Sequence, residues 1–251
     1  MAEPKIADYT NFDYKKNFWE KTDRRYEDFC DRLALRRLLP RSGAKFVDVC
    51  GGFGRLADEY LNRYGEVYLF DYAQNLLEQA HAERGAKLKT VQGSVYQTPF
   101  GQDEFDGLIM VRASHHLNDL NAAVAELSRI LKPGGRAVLE IANKRNILEI
   151  LRWCLGRSAL RPFSPEPADR NGKGFYNFHP RYAEKIFRQN GLQIKKVLGA
   201  SNFRAGFLKK LGLPVLCLAE RFTQGLSGRL KLSPSIFYLL EKRPSPMPTV
   251  L

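Results

Sequence analysis

Two adjacent histidines in the stretch SHHL, residues 114–117, are the side chains in this 251-residue chain best placed to handle a proton. A neutral imidazole with an ordinary pKa of about 6.5 accepts a proton near neutral pH, so His115 or His116 is a candidate general base or substrate orienter. His179, in YNFHP, is a further candidate that could equally fix the start of the helix behind it. His81 lies among polar residues of a helical stretch and reads as surface. A different chemistry is carried by KFVDVCGGFGRLA, residues 45–57, where an apolar run breaks into glycines. Glycines at the end of a strand let the backbone turn tightly and let a ligand approach the main chain, while the next helix presents unpaired N–H groups to a nucleotide-like cofactor. Asp71 closes the next apolar run, VYLFD, seventeen residues after Gly54. A carboxylate there accepts hydrogen bonds from both hydroxyls of a ribose. Cys50 has no partner base in the sequence and reads as a small packing residue, not a nucleophile.

These groups need a scaffold, and the apolar periodicity supplies one. Residues 17–39 carry Phe18, Tyr26, Phe29, Leu33, Leu35 and Leu38 among charges, which predicts an amphipathic helix ended by Pro40. Short apolar runs then alternate with helical patterns: FVDVC, VYLF, LKTV, DGLIMV and RAVLEIA as strands, with helices over 55–64, 75–84 and 119–131. In the last helix Leu117, Leu120, Val124, Leu127 and Leu131 share a stripe, and KPGG at 132–135 is expected to end it. Strands alternating with helices predict right-handed crossovers and a doubly wound, mainly parallel α/β sheet. Residues 161–174 read as a mobile connection, 180–189 as a helix and 193–198 as a strand. Phe203, Phe207, Leu208 and Leu211 predict a helical face that Pro214 interrupts, and 235–243 reads as the last, seventh strand.

At this point a resemblance is plain. VDVCGGFGRLA, LFDYAQNLLEQA, VQGSVYQTPF, FDGLIMVRASHHL and LSRILKPGGRAVLEIAN are similar, in order and spacing, to the motifs of class I S-adenosylmethionine-dependent methyltransferases, in the group with small-molecule and quinone methyltransferases. The resemblance covers residues 45–143, and FHPRYAEKIFRQNGLQIKKV with PSIFYLLEK extends it more weakly to the C-terminal part. It implies a Rossmann-like methyltransferase fold over 43–243; the flanking patterns add an N-terminal helical segment over 1–42, read as a lid or equally as a core-packing helix, substrate-cap insertions near 144–180 and 202–232, and a disordered proline-containing tail over 244–251. It also implies that Asp48, Gly52 and Gly54, with Cys50 and Gly51 in the same turn, shape the loop beside the methionine portion, and that Asp71 binds the ribose. Tyr72 would flank the adenine, Ser94 and Val95 would lie at its edge, and Val111 and Arg112 would follow the fourth strand beside the cofactor. Two positions depart from the family pattern. Cys50 replaces the first glycine, which fits if Gly51 takes the strained angle, and Ser94 replaces a frequent aspartate.

The expected reaction is methyl transfer to oxygen or carbon of a small acceptor, anionic or lipophilic, without a metal. Lys and Arg number 40 against 27 acidic residues, a formal charge of +13, which draws anionic partners as well as aiding solubility. Nucleic acid is the runner-up, but VRASH replaces the Pro-Pro signature that holds a base, no Pro-Cys nucleophile is present, and no RNA-binding appendage is recognisable. An NAD(P)-dependent oxidoreductase shares the glycine turn and the acid but not LKPGG and PSIFYLLEK. A noncatalytic adenosylmethionine-binding module is the remaining alternative. The four dispersed cysteines argue against a zinc site or a disulfide framework. Residues 1–17 lack the apolar core of a signal peptide and no stretch is long enough to span a bilayer, so a reducing, cytoplasmic setting is expected. Residues 202–226 suit either a cap over the enzyme's own pocket, the reading adopted, or a peripheral contact with an anionic membrane.

Overall fold

The computed structural model describes residues 15–169, 172 and 174–244; residues 1–14 of the expected lid, 245–251 of the expected tail and parts of the 161–174 connection lie outside the described residues. In chain order the elements are α1 (Arg25–Leu38), β1 (Gly43–Val49), β2 (Tyr64–Asp71), α2 (Gln74–Arg84), β3 (Lys89–Gln92), β4 (Phe105–Met110), α3 (Leu120–Ile130), β5 (Leu131–Ala142) and α4 (Ile147–Cys154). They continue with the two-residue strands β6 (Ala168–Asp169) and β7 (Tyr176–Asn177), then α5 (Pro180–Gln189), β8 (Leu192–Ala200), α6 (Leu213–Leu230) and β9 (Ser235–Lys242). Seven strands form one sheet in the order β3-β2-β1-β4-β5-β9-β8. The pairs from β3 to β5 are parallel, and β9 runs antiparallel to both β5 and β8. An antiparallel strand in that place separates this sheet from the all-parallel order 3-2-1-4-5-6 of dinucleotide-binding folds.

Alternation along the strands divides the core between the two faces of the sheet. Val47 and Val49 of β1 point toward α3 and α5, with Leu120, Val124, Leu127 and Phe187, while Phe46 points toward α1, α2 and α6 with Leu35, Leu77 and Leu216. Asp48 therefore lies on the α1 side. Strand order reverses at β1, flanked by β2 and β4, and the crevice at the carboxyl ends of such strands is where ligands bind in open α/β sheets. Register sets what meets there. Val49 pairs with Phe70, so Asp71 stands level with the turn that begins at Cys50, and Met110 pairs with Leu139, which brings Arg112 close to Glu140.

Several expectations are corrected. The helix over 17–39 is two pieces, a π-helical turn at Lys15–Glu20 and α1, parted where the Thr22 hydroxyl donates to the Phe18 carbonyl and Asp23 pairs with Arg25. No α-helix covers 55–64. The chain turns there through successive contacts such as Ala57 N to Gly54 O and Tyr60 N to Ala57 O, with only a short 3₁₀ turn at Ala57–Glu59. Side chains hold those turns: Glu59 accepts two bonds from Arg36 and Tyr60 donates to Asp48. The helix expected over 119–131 ends at Ile130, just before KPGG, but the motif forms the irregular start of β5, with Gly134 at φ +76°, where no strand was expected until Arg136. Pro214 does not interrupt a helix but opens α6 in its first turn, where the missing N–H costs nothing. Residues 147–154, within the expected insertion, form α4, capped by the Asn146 side chain, which accepts from Glu149 N.

Candidate active site

The turn after β1 carries its strain in an unexpected place. Cys50 itself adopts φ +56°, as do Gly52 at +56° and Gly54 at +71°, whereas Gly51 is needed for room: a Cβ there would stand 2.4 Å from Leu69 Cδ1 and 2.7 Å from Asp48 Cγ. The left-handed conformation costs a non-glycine residue about 1–2 kcal/mol, so the expectation that Gly51 takes the angle for Cys50 is reversed. Burial pushes the Cys50 thiol well up, with the carboxylates of Asp71 and Asp48 adding to it, which suits a packing role and opposes a thiolate.

Asp71 organises the turn. Its Oδ2 accepts from Gly52 N at 2.8 Å and its Oδ1 from Ala73 N at 2.9 Å. An ionised carboxylate accepts at about four lone-pair positions, so each oxygen keeps capacity for a hydroxyl donor. Burial raises the Asp71 pKa and the neighbouring backbone amides pull it back. Asp48 is more deeply enclosed, accepting from Tyr60 Oη at 2.7 Å. Burial pushes it up to about 7, against the Tyr60 hydrogen bond and the Arg55 charge and with help from Asp71.

A cleft of about 930 Å³, open on one side, lies above this turn. Asp48, Cys50, Gly51, Gly52, Asp71, Tyr72, Val95, Val111, Arg112 and His116 all line it. Gly54 and Ser94 do not: Gly54 N closes a tight turn onto Gly51 O, and the Ser94 hydroxyl turns to accept from Tyr96 N while Gly93 takes the wall position. Tyr72 is 43% exposed and Val95 and Leu117 are apolar, so an aromatic base would find a flat wall near Asp71. Roofing comes from Trp19 of the π-helical turn, whose ring lies 3.8 Å from the Arg55 guanidinium carbon.

A second cavity, about 1,210 Å³ with its open mouth included, shares Trp19 and Arg112 with the cleft. Phe18 and Phe175 give it apolar walls, and Arg24, Arg204, His115, Glu140 and Asn143 give it polar ones. The two histidines therefore part: His116 faces the cleft and His115 the second cavity, their rings 4.0 Å apart. Burial lowers the His116 pKa to about 4, and burial, then His116, Arg112 and Arg24, lower His115 well below its ordinary value. His179 lies elsewhere, largely buried, its Nδ1 accepting from Arg181 N to cap α5.

Beneath the shared wall is a feature the motifs did not reveal. Asp31 of α1 is fully buried and takes Arg112 with Oδ1 at 2.8 Å and Oδ2 at 3.1 Å, and Arg55 with Oδ2 at 2.9 Å. Arg112, at φ +59°, also donates to Ser201 and Ser235, and its backbone N donates to Glu140. Its one sequence signal is an acid amid Cys30, Ala34 and Leu35 on the inward face of α1.

Residues 47–139 match the protein family described as "Methyltransferase domain". The chain carries a class I methyltransferase domain. Its methyltransferase fold extends beyond that match. A SAM-dependent methyltransferase from Thermotoga maritima superposes with a TM-score of 0.63 at 17% identity, covering 91% of this chain and 98% of that one. The methyltransferase solved with the Haloferax volcanii Trm112 activator gives 0.64 at 16% identity, covering 92% and 96%. Among curated sequences, a 2-phytyl-1,4-naphtoquinone methyltransferase from Nostoc punctiforme is 33% identical over 43% of this chain, and the UbiE ubiquinone/menaquinone biosynthesis C-methyltransferase of Paracoccus denitrificans is 32% identical over 48%. The chain aligns with about half the length of these relatives, 50% in each case. Among the described residues no cluster of three or more His, Cys, Asp or Glu side chains is placed to hold a metal ion.

The groups in the cleft suit the methyltransferase cofactor. Adenosylmethionine brings a ribose diol, an aromatic base and two positive groups; the cleft holds spare carboxylate lone pairs, an open Tyr72 face and two acids in its floor. The pH dependence of binding follows from Asp48. Below about pH 7 its carboxyl holds a proton that must leave before it can attract a cation, so affinity should rise as pH passes upward through 7, with proton release on binding. In the free protein the same proton is held where the unfolded chain has lost it, so its contribution to stability falls as pH rises from about 4 to about 7 and is gone above that. Calorimetry in two buffers of different ionisation enthalpy checks the first point; Asp48→Asn should flatten the profile.

Proposed function

We propose that this chain is a methyltransferase that moves the methyl group of S-adenosylmethionine to oxygen or carbon of a small aromatic acceptor bearing an ionisable hydroxyl. The observation that carries this is a second cavity adjoining the cleft across Trp19 and Arg112, which sets a site for a second ligand beside the first. When bound, adenosylmethionine supplies a sulfonium methyl whose transfer leaves the electron pair of the broken bond on sulfur, so no leaving group needs activation. The protein's task is alignment, which is worth about 7–11 kcal/mol of barrier. Asp71, Tyr72 and the turn at residues 50–54 hold the nucleoside side; Phe18, Trp19 and Phe175 hold a flat acceptor.

The histidine pKa shifts narrow the acceptor. An imidazole this weak is a poor base for an aliphatic alcohol but a good neutral partner for a hydroxyl that is acidic by itself. Arg24, Arg112 and Arg204 against Glu140 leave the cavity lining net positive, which favours an oxyanion. The names of the curated relatives, a 2-phytyl-1,4-naphtoquinone methyltransferase and a ubiquinone/menaquinone biosynthesis C-methyltransferase, fit the same chemistry.

Incubating the protein with adenosylmethionine and a panel of hydroquinones, naphthoquinols and phenols, with mass spectrometry of the products, tests the reading. Methylated product and adenosylhomocysteine should appear in equal amounts. His115→Ala should lower kcat by about 10–100-fold, the worth of one hydrogen bond to a charged group, with cofactor affinity unchanged. Cofactor bound but never turned over by any acceptor would leave only a binding module.

A further inference from the structure

The outer face of α6 carries a row of uncovered apolar side chains. Val215, Leu218, Phe222, Leu226 and Leu230 follow one another at spacings of three and four, so they form a single stripe, and all are more than half exposed. Phe222 reaches 79% exposure, and Phe207 and Leu211 on the preceding turn prolong the stripe. The opposite side of the helix is committed: Leu216, Glu220, Gln224 and Gly228 face inward, Glu220 accepting from Tyr26 and from the backbone of Ser201 and Asn202. A cap over the acceptor cavity would turn its apolar stripe inward, and this one is turned out.

The charges beside the stripe have one sign. From residue 206 to residue 231 the basic residues are Lys209, Lys210, Arg221, Arg229 and Lys231, and the single acid, Glu220, is buried. Helix α4 repeats the pattern: Ile147, Leu151, Trp153 and Leu155 are exposed, and its single acid, Glu149, is buried. The two helices adjoin, since Arg145 Nη1 donates to Leu230 O at 3.3 Å and Ile147 N to Leu232 O at 2.9 Å. At that junction Arg145, Arg181, Arg229 and Lys231 line an open recess of about 740 Å³, its mouth included, beside Leu230.

We propose that this face docks on an anionic phospholipid bilayer, the α6 stripe lying in the headgroup–acyl boundary and the cationic recess at its end receiving a headgroup phosphate. Apolar side chains flanked by Lys and Arg, with no outward acid, are complementary to such a surface, and an interfacial Trp suits its polar boundary. Among the described residues no helix is long and apolar enough to cross a membrane, so the contact is in the plane of the interface. The stripe begins beside the acceptor cavity, because Lys209 Nζ reaches Asp23 O next to Arg24 on the cavity wall. Delivery of a lipophilic acceptor from the bilayer would follow if the acceptor reading above holds; docking stands without it.

Co-flotation of the full chain with phosphatidylcholine vesicles, with and without about one-third phosphatidylglycerol, is the test. Binding should be at least roughly tenfold stronger to the anionic vesicles and weaken with salt. The pair Leu218→Glu and Phe222→Glu should abolish it, and Arg181→Ala with Arg229→Ala should weaken it on anionic vesicles, with circular dichroism and adenosylmethionine affinity unchanged in both. The proposal is overturned if the wild-type chain stays off both vesicles, if the Glu pair binds like wild type, or if sedimentation shows a dimer that the Glu pair dissociates while vesicles bind neither form.

Discussion

Asp31→Ala is expected to destabilise the protein by about 3–5 kcal/mol, the range found when one partner of a buried ion pair is removed. Asp31 is fully enclosed and stands between two guanidinium groups, Arg55 and Arg112, whose side chains are themselves only 12% and 17% exposed. Its loss leaves both cations without that partner. Arg112 keeps Ser201 and Ser235, and Arg55 keeps Asp28, but neither arrangement restores the carboxylate that bridged them. The consequence reaches the site, because Arg112 is the wall between the two cavities and Arg55 carries Trp19. Chemical denaturation measures the first effect. Asp31→Asn, which keeps the shape without the charge, should fall between wild type and Ala. A wild-type midpoint for Asp31→Ala would mean that the pair contributes nothing.

The second large effect concerns Asp71. Its replacement by Ala should weaken adenosylmethionine binding by at least about a hundredfold, since two hydroxyls would lose a charged acceptor worth about 1.5–3 kcal/mol each. The same change frees Gly52 N and Ala73 N, which now hold the turn against the carboxylate. Asp71→Asn keeps an acceptor oxygen and should show an intermediate loss. Equilibrium dialysis with labelled cofactor, beside circular dichroism to verify the fold, separates lost binding from lost structure. Unchanged affinity in Asp71→Ala would remove the ribose role.

How far the sequence could be read depended on what each pattern was tied to. The strands were legible because a sheet covered on both faces needs continuous apolar runs, and β1, β4 and β5 have them. The glycine turn and Asp71 were legible because both follow from where such strands end. Residues 55–64 were not, because their apolar spacing resembles a helix while Arg36–Glu59 and Tyr60–Asp48, contacts made across the fold, hold a chain of tight turns. Asp31 looked like an ordinary acid of an amphipathic helix until its partners arrived from 24 and 81 residues away. The α4 helix had its start signal in Asn146 and Glu149, but its apolar stripe remains outside and so did not read as core. His179 had two readings in the sequence, and its hydrogen bond to Arg181 N places it at the start of α5.

Titration calorimetry of S-adenosylmethionine into cofactor-stripped wild-type protein bears most directly on whether the crevice at β1 and β2 holds that nucleoside. One saturable site is expected, displaced by S-adenosylhomocysteine and indifferent to NAD and NADP. Absence of heat from a protein that circular dichroism shows to be folded, or equal competition by NAD, would contradict it.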